Sequence, residues 1–291
     1  RMTSATPSFA AFFSENGYAV VDDIFNDKEI AEMKAEMAKV VDNFDFDAIP
    51  RTVFTTYNDQ KHAKDEYFLE SGSQVAAFFE EAAVDANGNV VVPKQLALNK
   101  VGHALHWLNP VFKKYSFHDK IKGIMRSLCF DQPEIVQSMY IFKQPRIGGV
   151  VTSHIDATFL RASPVDRLVG IWIALDDATA ENGCLFFSPG SHKITCADYK
   201  FARTYSKDGP LVRFEGEKPS YDHLSFVPVP VKKGSAVLIH GLTVHRSEAN
   251  NSEESRHAYT LHVLDAKDAE WSKHNWLQPT DSYAFPSLYD N

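Results

Sequence analysis

A chain of 291 residues with 44% hydrophobic and 23% charged side chains has the composition of a globular protein, and its 21 Phe and 11 Tyr promise an aromatic-rich core. A net charge of -8 with no Lys/Arg stripe excludes a nucleic-acid surface, and three widely spaced cysteines, Cys129, Cys184 and Cys196, exclude both a disulfide framework and a zinc knuckle. No run of about 18 apolar residues suits a membrane span, and neither a signal-peptide core nor a peroxisomal tripeptide is present, so the expectation is a cytoplasmic protein without a membrane partner.

In chain order, Phe9, Phe12 and Phe13 predict a short amphipathic helix over 8–16, closed by Gly17, and Tyr18 to Val21 reads as a strand. Asn26 and Glu29 form a capping box ahead of Ile30, Met33, Met37, Val40 and Val41, whose three- and four-residue steps predict a helix over 27–44 with one buried face. Residues 45–70 show no period and read as irregular. Helices are expected over 74–83, over 96–108 and over 111–128, with a turn at Asp85 to Gly88. The middle one would carry Lys100, and would set His103 and His106 on one face as packing histidines rather than metal ligands.

From Ile135 the pattern changes to short β-rich runs, over 135–142, 168–175, 185–187, 225–229, 236–240 and 258–264. Gly148-Gly149, Pro189-Gly190 and Lys233-Gly234 punctuate them, which is the look of a jelly roll. Residues 195–222, rich in charge, Gly and Pro, read as a flexible lid or loop. The whole is expected to be one domain, 1–291: a mainly helical part (1–133), a jelly-roll core (134–270) and a tail (271–291).

Within this pattern His154-Ile-Asp156 stands out, because residues two apart in an extended segment point the same way and would aim an imidazole and a carboxylate at one spot. About one His-x-Asp triplet is expected by chance in a chain of this composition, so the triplet needs a partner. Two histidines and one carboxylate form the facial set of non-haem iron(II) oxygenases. His245, after the apolar run 236–240 and a turn, is where a jelly roll returns a ligand to the same mouth; His240, the last residue of that run, is expected to be a packed histidine. Trp172, between Ile171 and Ile173, faces the opposite side from them and walls the pocket if that side is the barrel interior.

The run Gln137 to Pro145 (QSMYIFKQP), the His154/Asp156 pair, Gly170 to Ala178 (GIWIALDDA), Glu181 to His192 (ENGCLFFSPGSH) and His245-Arg-Ser247 with Arg256 together resemble the phytanoyl-CoA dioxygenase family. The resemblance runs from Phe9 almost to the C-terminus. It implies a mainly β fold, a double-stranded β-helix with flanking N-terminal helices. It also implies Fe(II) held by His154, Asp156 and His245, and 2-oxoglutarate as cosubstrate touching Lys100, Met139, Trp172, Ser247 and Arg256. The implied activity converts 2-oxoglutarate and O2 to succinate and CO2, coupled to hydroxylation of a small molecule or acyl group, with ascorbate in support. Taken without the resemblance, Arg256 reads as a surface arginine beside Glu253 and Glu254; with it, a guanidinium fork suits the distal carboxylate of 2-oxoglutarate. A cupin-like metalloenzyme and a non-catalytic metabolite-binding barrel are the alternatives. Lys61, Lys64, Lys113 and Lys114 are scattered and form no cluster suited to the phosphates of coenzyme A.

Overall fold

The computed structural model describes residues 8–53, 66–205 and 208–291. Its strands are β1 (Tyr18–Val21), β2 (Val75–Phe79), β3 (Leu98–His103), β4 (Pro133–Ile141), β5 (Val151–His154), β6 (Ala162–Ser163), β7 (Leu168–Ala174), β8 (Leu185–Phe187), β9 (Lys200–Arg203), β10 (Val212–Glu215), β11 (Val227–Val229), β12 (Ala236–His240), β13 (His245–Ser247), β14 (Ala258–Asp265) and β15 (Glu270–Trp271). The helices are α1 (Ser8–Asn16), α2 (Asp27–Asn43), α3 (Glu66–Glu70), α4 (Leu105–Leu108), α5 (Pro110–Ser116) and α6 (Asp119–Ser127).

Two antiparallel sheets carry the architecture. The larger has the order β1-β12-β7-β14-β4-β3-β2 and the smaller the order β11-β8-β13-β5. From β4 onward the chain passes between them: β4, β7, β12 and β14 lie in the larger sheet, and β5, β8, β11 and β13 in the smaller. That interleaving is a double-stranded β-helix, the jelly roll expected from the spacing of the runs. The N-terminal third, expected to be mainly helical, adds β1 at one edge of the larger sheet and β3 and β2 at the other.

Period-two alternation decides what each face buries. In β7, Ile171 and Ile173 join the core under the helices, while Trp172 packs towards the smaller sheet with Val237 and Phe187. The helical layer supplies Ile30, Met33, Met37 and Val41 of α2, Phe112 and Tyr115 of α5, and Ile121, Ile124 and Met125 of α6, all buried. The inner face of the larger sheet is thereby left to pack on the smaller sheet and, at Met139, Trp172, Thr260 and His262, to line a cavity between them.

Several expectations give way to tertiary context. Residues 74–83 form β2 followed by a turn, not a helix, because Ala77 and Phe79 bury on one side and Ala76 and Phe78 on the other. A strand buried on both faces shows no alternation, so its period cannot separate it from a helix. For the same reason 96–108 is not one helix but β3 and the single turn α4, which separates His103 from His106. The helix expected over 111–128 divides at His118, whose Nδ1 accepts from the Lys120 amide and starts α6. Residues 195–222, expected to be a flexible lid or loop, contain the hairpin β9–β10, and its Phe201 and Val212 are buried in a cluster with Phe68 and Trp276. The tail also packs inward, through Trp276, Leu277, Tyr283 and Leu288. Of the irregular stretch 45–70, residues 54–65, with Lys61 and Lys64, lie outside the described residues. No helix among the described residues is long and apolar enough to cross a membrane.

The capping box is formed in full: the Asn26 side chain accepts from the amides of Lys28 and Glu29, and the Glu29 carboxylate accepts from the Asn26 amide at 2.8 Å. Replacing Asn26 by Ala should therefore cost about 1 kcal/mol of stability, read as a lower urea midpoint with an unchanged slope. A midpoint equal to wild type would show that water satisfies those amides equally well.

Candidate metal centre and anion pocket

β13 lies between β8 and β5, and its register sets His245 opposite His154. Between His245 and Ser247 the pairing shifts, Ser247 facing Val151, so β5 carries an extra residue there. Along β13 itself the alternation is regular: His245 and Ser247 are buried on the inner face and Arg246 is half-exposed. After His154 the backbone stays extended through Ile155 and then turns at Asp156, whose carbonyl accepts from the amides of Phe159 and Leu160. His154 and Asp156 accordingly share one face, and Ile155 is buried on the other, in a separate cluster with Leu242 and Val244.

The three side chains converge. Asp156 Oδ1 lies 3.7 Å from His154 Nε2 and 3.7 Å from His245 Nε2, and the three potential ligand atoms all fall within 4.8 Å of one another. Each imidazole is oriented by its other nitrogen: Nδ1 of His154 lies 2.8 Å from the Thr152 carbonyl, and Nδ1 of His245 lies 3.0 Å from the Thr243 carbonyl. With Nδ1–H donated to a carbonyl, the Nε2 lone pairs face Asp156, the tautomer a metal requires. Burial pushes His245 down to about 4, so it is neutral near pH 7. For Asp156 burial alone would raise the pKa, but the His245 and His262 imidazoles outweigh it and hold the carboxyl well below the usual range. The arrangement is two imidazoles and one carboxylate around a single point.

These residues open onto a cavity of about 210 Å³ between the sheets, which Lys100, Met139, Trp172, Ser247 and Arg256 also line. Arg256 is buried, and its guanidinium lies 5.0 Å from the centroid of Trp172. Its Nε donates to the Gly183 carbonyl at 3.1 Å, while its Nη1 is buried with no hydrogen-bond partner. Among the described residues no carboxylate pairs with it. An unpaired guanidinium donor inside a cavity is costly unless an anion completes it. Lys100 is also buried; its Nζ lies 3.8 Å from Met139 Sδ and 5.2 Å from the centroid of Phe78, and burial pushes its pKa well down.

The other candidate histidines are elsewhere. His240 Nδ1 accepts from the Leu242 amide, and its ring packs 5.0 Å from that of His192, away from the triad. His103 and His106 are tied to Ser71 and Ser138 respectively, the second also to the Tyr283 hydroxyl, as packing histidines. Lys113 lies over Trp107 and Lys114 pairs with Glu32, so neither contributes to a phosphate site.

Two cavity residues escaped the sequence reading. His262 Nε2 lies 3.3 Å from Asp156 Oδ2, the oxygen turned away from the two imidazoles. Gly170 makes room for this contact, since a Cβ there would come within 3.2 Å of Asp156 Oδ2. Lys143 donates to Ser247 Oγ at 3.0 Å and to the Gly149 carbonyl at 2.6 Å. His262 was within reach of the period-two rule, since it shares one face of β14 with Thr260; Lys143 follows the end of β4 at φ 41, where alternation no longer applies.

Comparison with known proteins is decisive at the family level. The sequence profile of the phytanoyl-CoA dioxygenase family (PhyH) matches residues 13–258. The chain belongs to that family. It is 54% identical over 279 residues to the phytanoyl-CoA dioxygenase domain-containing protein 1 homolog of Caenorhabditis briggsae, covering 95% of this chain and 97% of that protein. It is 43% identical over 291 residues to phytanoyl-CoA dioxygenase domain-containing protein 1 of Mus musculus, covering 99% and 100%. Among solved structures, the epimerase SnoN in complex with Fe3+, alpha ketoglutarate and nogalamycin RO superposes with a TM-score of 0.62 at 17% identity, covering 96% of this chain and 97% of that one, a likeness of fold.

His262 anchors the Asp156 oxygen that faces away from the imidazoles. His262→Ala should leave the fold intact and weaken divalent-metal affinity by about 10- to 100-fold, the usual effect of losing such an outer contact, measured by metal titration calorimetry. Unchanged affinity would mean that Asp156 is held by its turn alone.

Proposed function

We propose that this chain is an Fe(II)- and 2-oxoglutarate-dependent dioxygenase. The observation that carries the reading is the meeting, in one cavity, of the His154/Asp156/His245 set with the buried, unpartnered Nη1 of Arg256. A three-ligand set leaves metal positions for other ligands, and a guanidinium fork at the far wall matches a carboxylate at the other end of a small chelator. Family membership and the SnoN complex with Fe3+ and alpha ketoglutarate support the same reading.

On this reading His154 and His245 bind the metal through Nε2 and Asp156 through Oδ1. When bound, iron with 2-oxoglutarate and O2 supplies the oxidative decarboxylation that yields succinate and CO2 and hydroxylates a second molecule. The protein's own part is positional. Arg256 holds the distal carboxylate, Ser247 adds a hydroxyl, Trp172 and Leu185 wall the chain, and Met139 and Lys100 flank it. Phe159, Leu160, Phe68 and Trp276 line another part of the cavity and offer an apolar wall to a small-molecule substrate.

The test is production of succinate from 2-oxoglutarate with Fe(II), ascorbate and O2. Asp156→Ala should abolish it; undiminished turnover by that variant would remove Asp156 from the metal site. Truncating one partner of a buried charged pair costs about 2 to 5 kcal/mol, so Arg256→Ala should raise the apparent 2-oxoglutarate constant roughly 30-fold or more. Arg256→Lys keeps the charge, loses the fork and should fall between the two. An unchanged constant in Arg256→Ala would place the carboxylate anchor elsewhere.

A further inference from the structure

Beside Arg256 lies a second buried cation that the assignment above does not use. Lys143 is 3% exposed and lines the same cavity. Its backbone sits at φ 41, in the left-handed region, and its carbonyl accepts from the Arg256 amide at 3.2 Å and from Asn250 Nδ2 at 2.9 Å. A non-glycine residue held there signals that its surroundings dictate where its side chain goes. Gly183 is the hinge of the arrangement: its carbonyl accepts from Arg256 Nε, and a Cβ on it would lie 2.7 Å from Lys143 Cε. One residue thus touches both cations, and only glycine leaves space for the lysine stem.

An ammonium carries three donors. Two of those of Lys143 go to the Gly149 carbonyl and to Ser247 Oγ. Because Ser247 Oγ accepts that hydrogen bond, its own O–H is left to donate into the cavity. Glu80 and Glu248 act on Lys143 through space, but among the described residues no carboxylate is in ion-pair contact with it. Two uncompensated cations packed side by side in a protein interior are destabilising unless an anion joins them.

We propose that Lys143 is a positioning residue for the distal carboxylate of the cosubstrate, aiming the Ser247 hydroxyl at it and adding a second positive charge behind Arg256. The inference rests on the 2-oxoglutarate reading above and extends it by assigning the specificity of that subsite for an anionic chain end. Burial, and after it the neighbouring Arg256, push Lys143 down to about 7, with Glu80 and Glu248 opposing. A bound carboxylate favours the ammonium. Affinity for 2-oxoglutarate is therefore full below pH 7, falls as pH rises through and above that value, and levels off above the raised pKa of the complex.

The experiment is calorimetric binding to the full-length, Mn(II)-loaded chain of 2-oxoglutarate and of 2-oxopentanoate, which has the same carbon chain without the distal carboxylate. Lys143→Met should weaken 2-oxoglutarate about tenfold or more and leave 2-oxopentanoate unchanged, and Lys143→Arg should recover most of the loss. In wild type, the pH dependence above 7 should appear for 2-oxoglutarate and not for 2-oxopentanoate, a comparison that cancels titration of Glu80, Glu248, Cys184 and the metal site. Equal effects of Lys143→Met on both ligands, or on neither, would reduce Lys143 to a structural role and overturn the proposal. If Lys143→Met does not fold, the wild-type comparison decides alone: two parallel pH profiles overturn it. Failure of wild type to bind 2-oxoglutarate would overturn the functional reading and this inference together, whereas loss of binding in Arg256→Ala with none in Lys143→Met would overturn this inference only.

Discussion

The register between β13 and β5 is the constraint on which the site depends. Strand side chains alternate with a period of two, so a slip of one residue would turn His245 out of the cavity and bring Arg246 in. The slip is opposed from both sides of β13: Phe187 of β8 lies opposite His245 and stacks on its ring at 5.7 Å, and His154 of β5 faces it from the other edge at 4.3 Å. The same alternation puts Ser247 on the inner face beside His245, so one three-residue strand delivers both an imidazole and a hydroxyl to the cavity.

Charge inside the cavity is divided between two poles. At one, Asp156 is the sole carboxylate of the triad, held ionised by the imidazoles around it. At the other, Arg256 and Lys143 stand together without an ion-paired carboxylate among the described residues. Water solvates such groups cheaply and a protein interior does not, so each pole is incomplete in the same sense: it is arranged for a ligand of opposite sign. A small chelating dicarboxylate meets both requirements at once, a chelating end at the metal and a carboxylate at the two cations, which is why the two poles belong to a single functional reading.

The fold was legible where the local pattern is strong, even in β7 and β14, which are buried along their whole length. α2 announced itself through its capping box and its Ile30, Met33, Met37 stripe, and the core strands through short β-branched runs with glycine punctuation. β2 and β3 were not legible, because VAAFF and LNKVGH show neither alternation nor the β-branched enrichment that marks β7. The hairpin inside 195–222 was hidden by its charge; Phe201 and Val212 bury in the core, and Ala202 and Arg203 bridge to the backbone of the tail. In the site, His154 and Asp156 follow from local spacing, whereas the choice of His245 over His240 needed the return path of a jelly roll, and Arg256 needed the family resemblance. His262 and Lys143 reach the cavity through tertiary contacts; alternation along β14 places His262 on the right face, but Lys143 lies past the end of β4 at φ 41, and nothing local states what either touches.

The central claim is that one metal and one 2-oxoglutarate share this cavity through the named residues. The most direct measurement is anaerobic titration of the Fe(II)-loaded protein with 2-oxoglutarate, followed by the visible charge-transfer absorption of an iron(II)–2-oxo acid chelate. The band should saturate at a single equivalent of 2-oxoglutarate, need far more ligand in Arg256→Ala and be absent in Asp156→Ala. No band in wild type, or an undiminished one in Asp156→Ala, would contradict it.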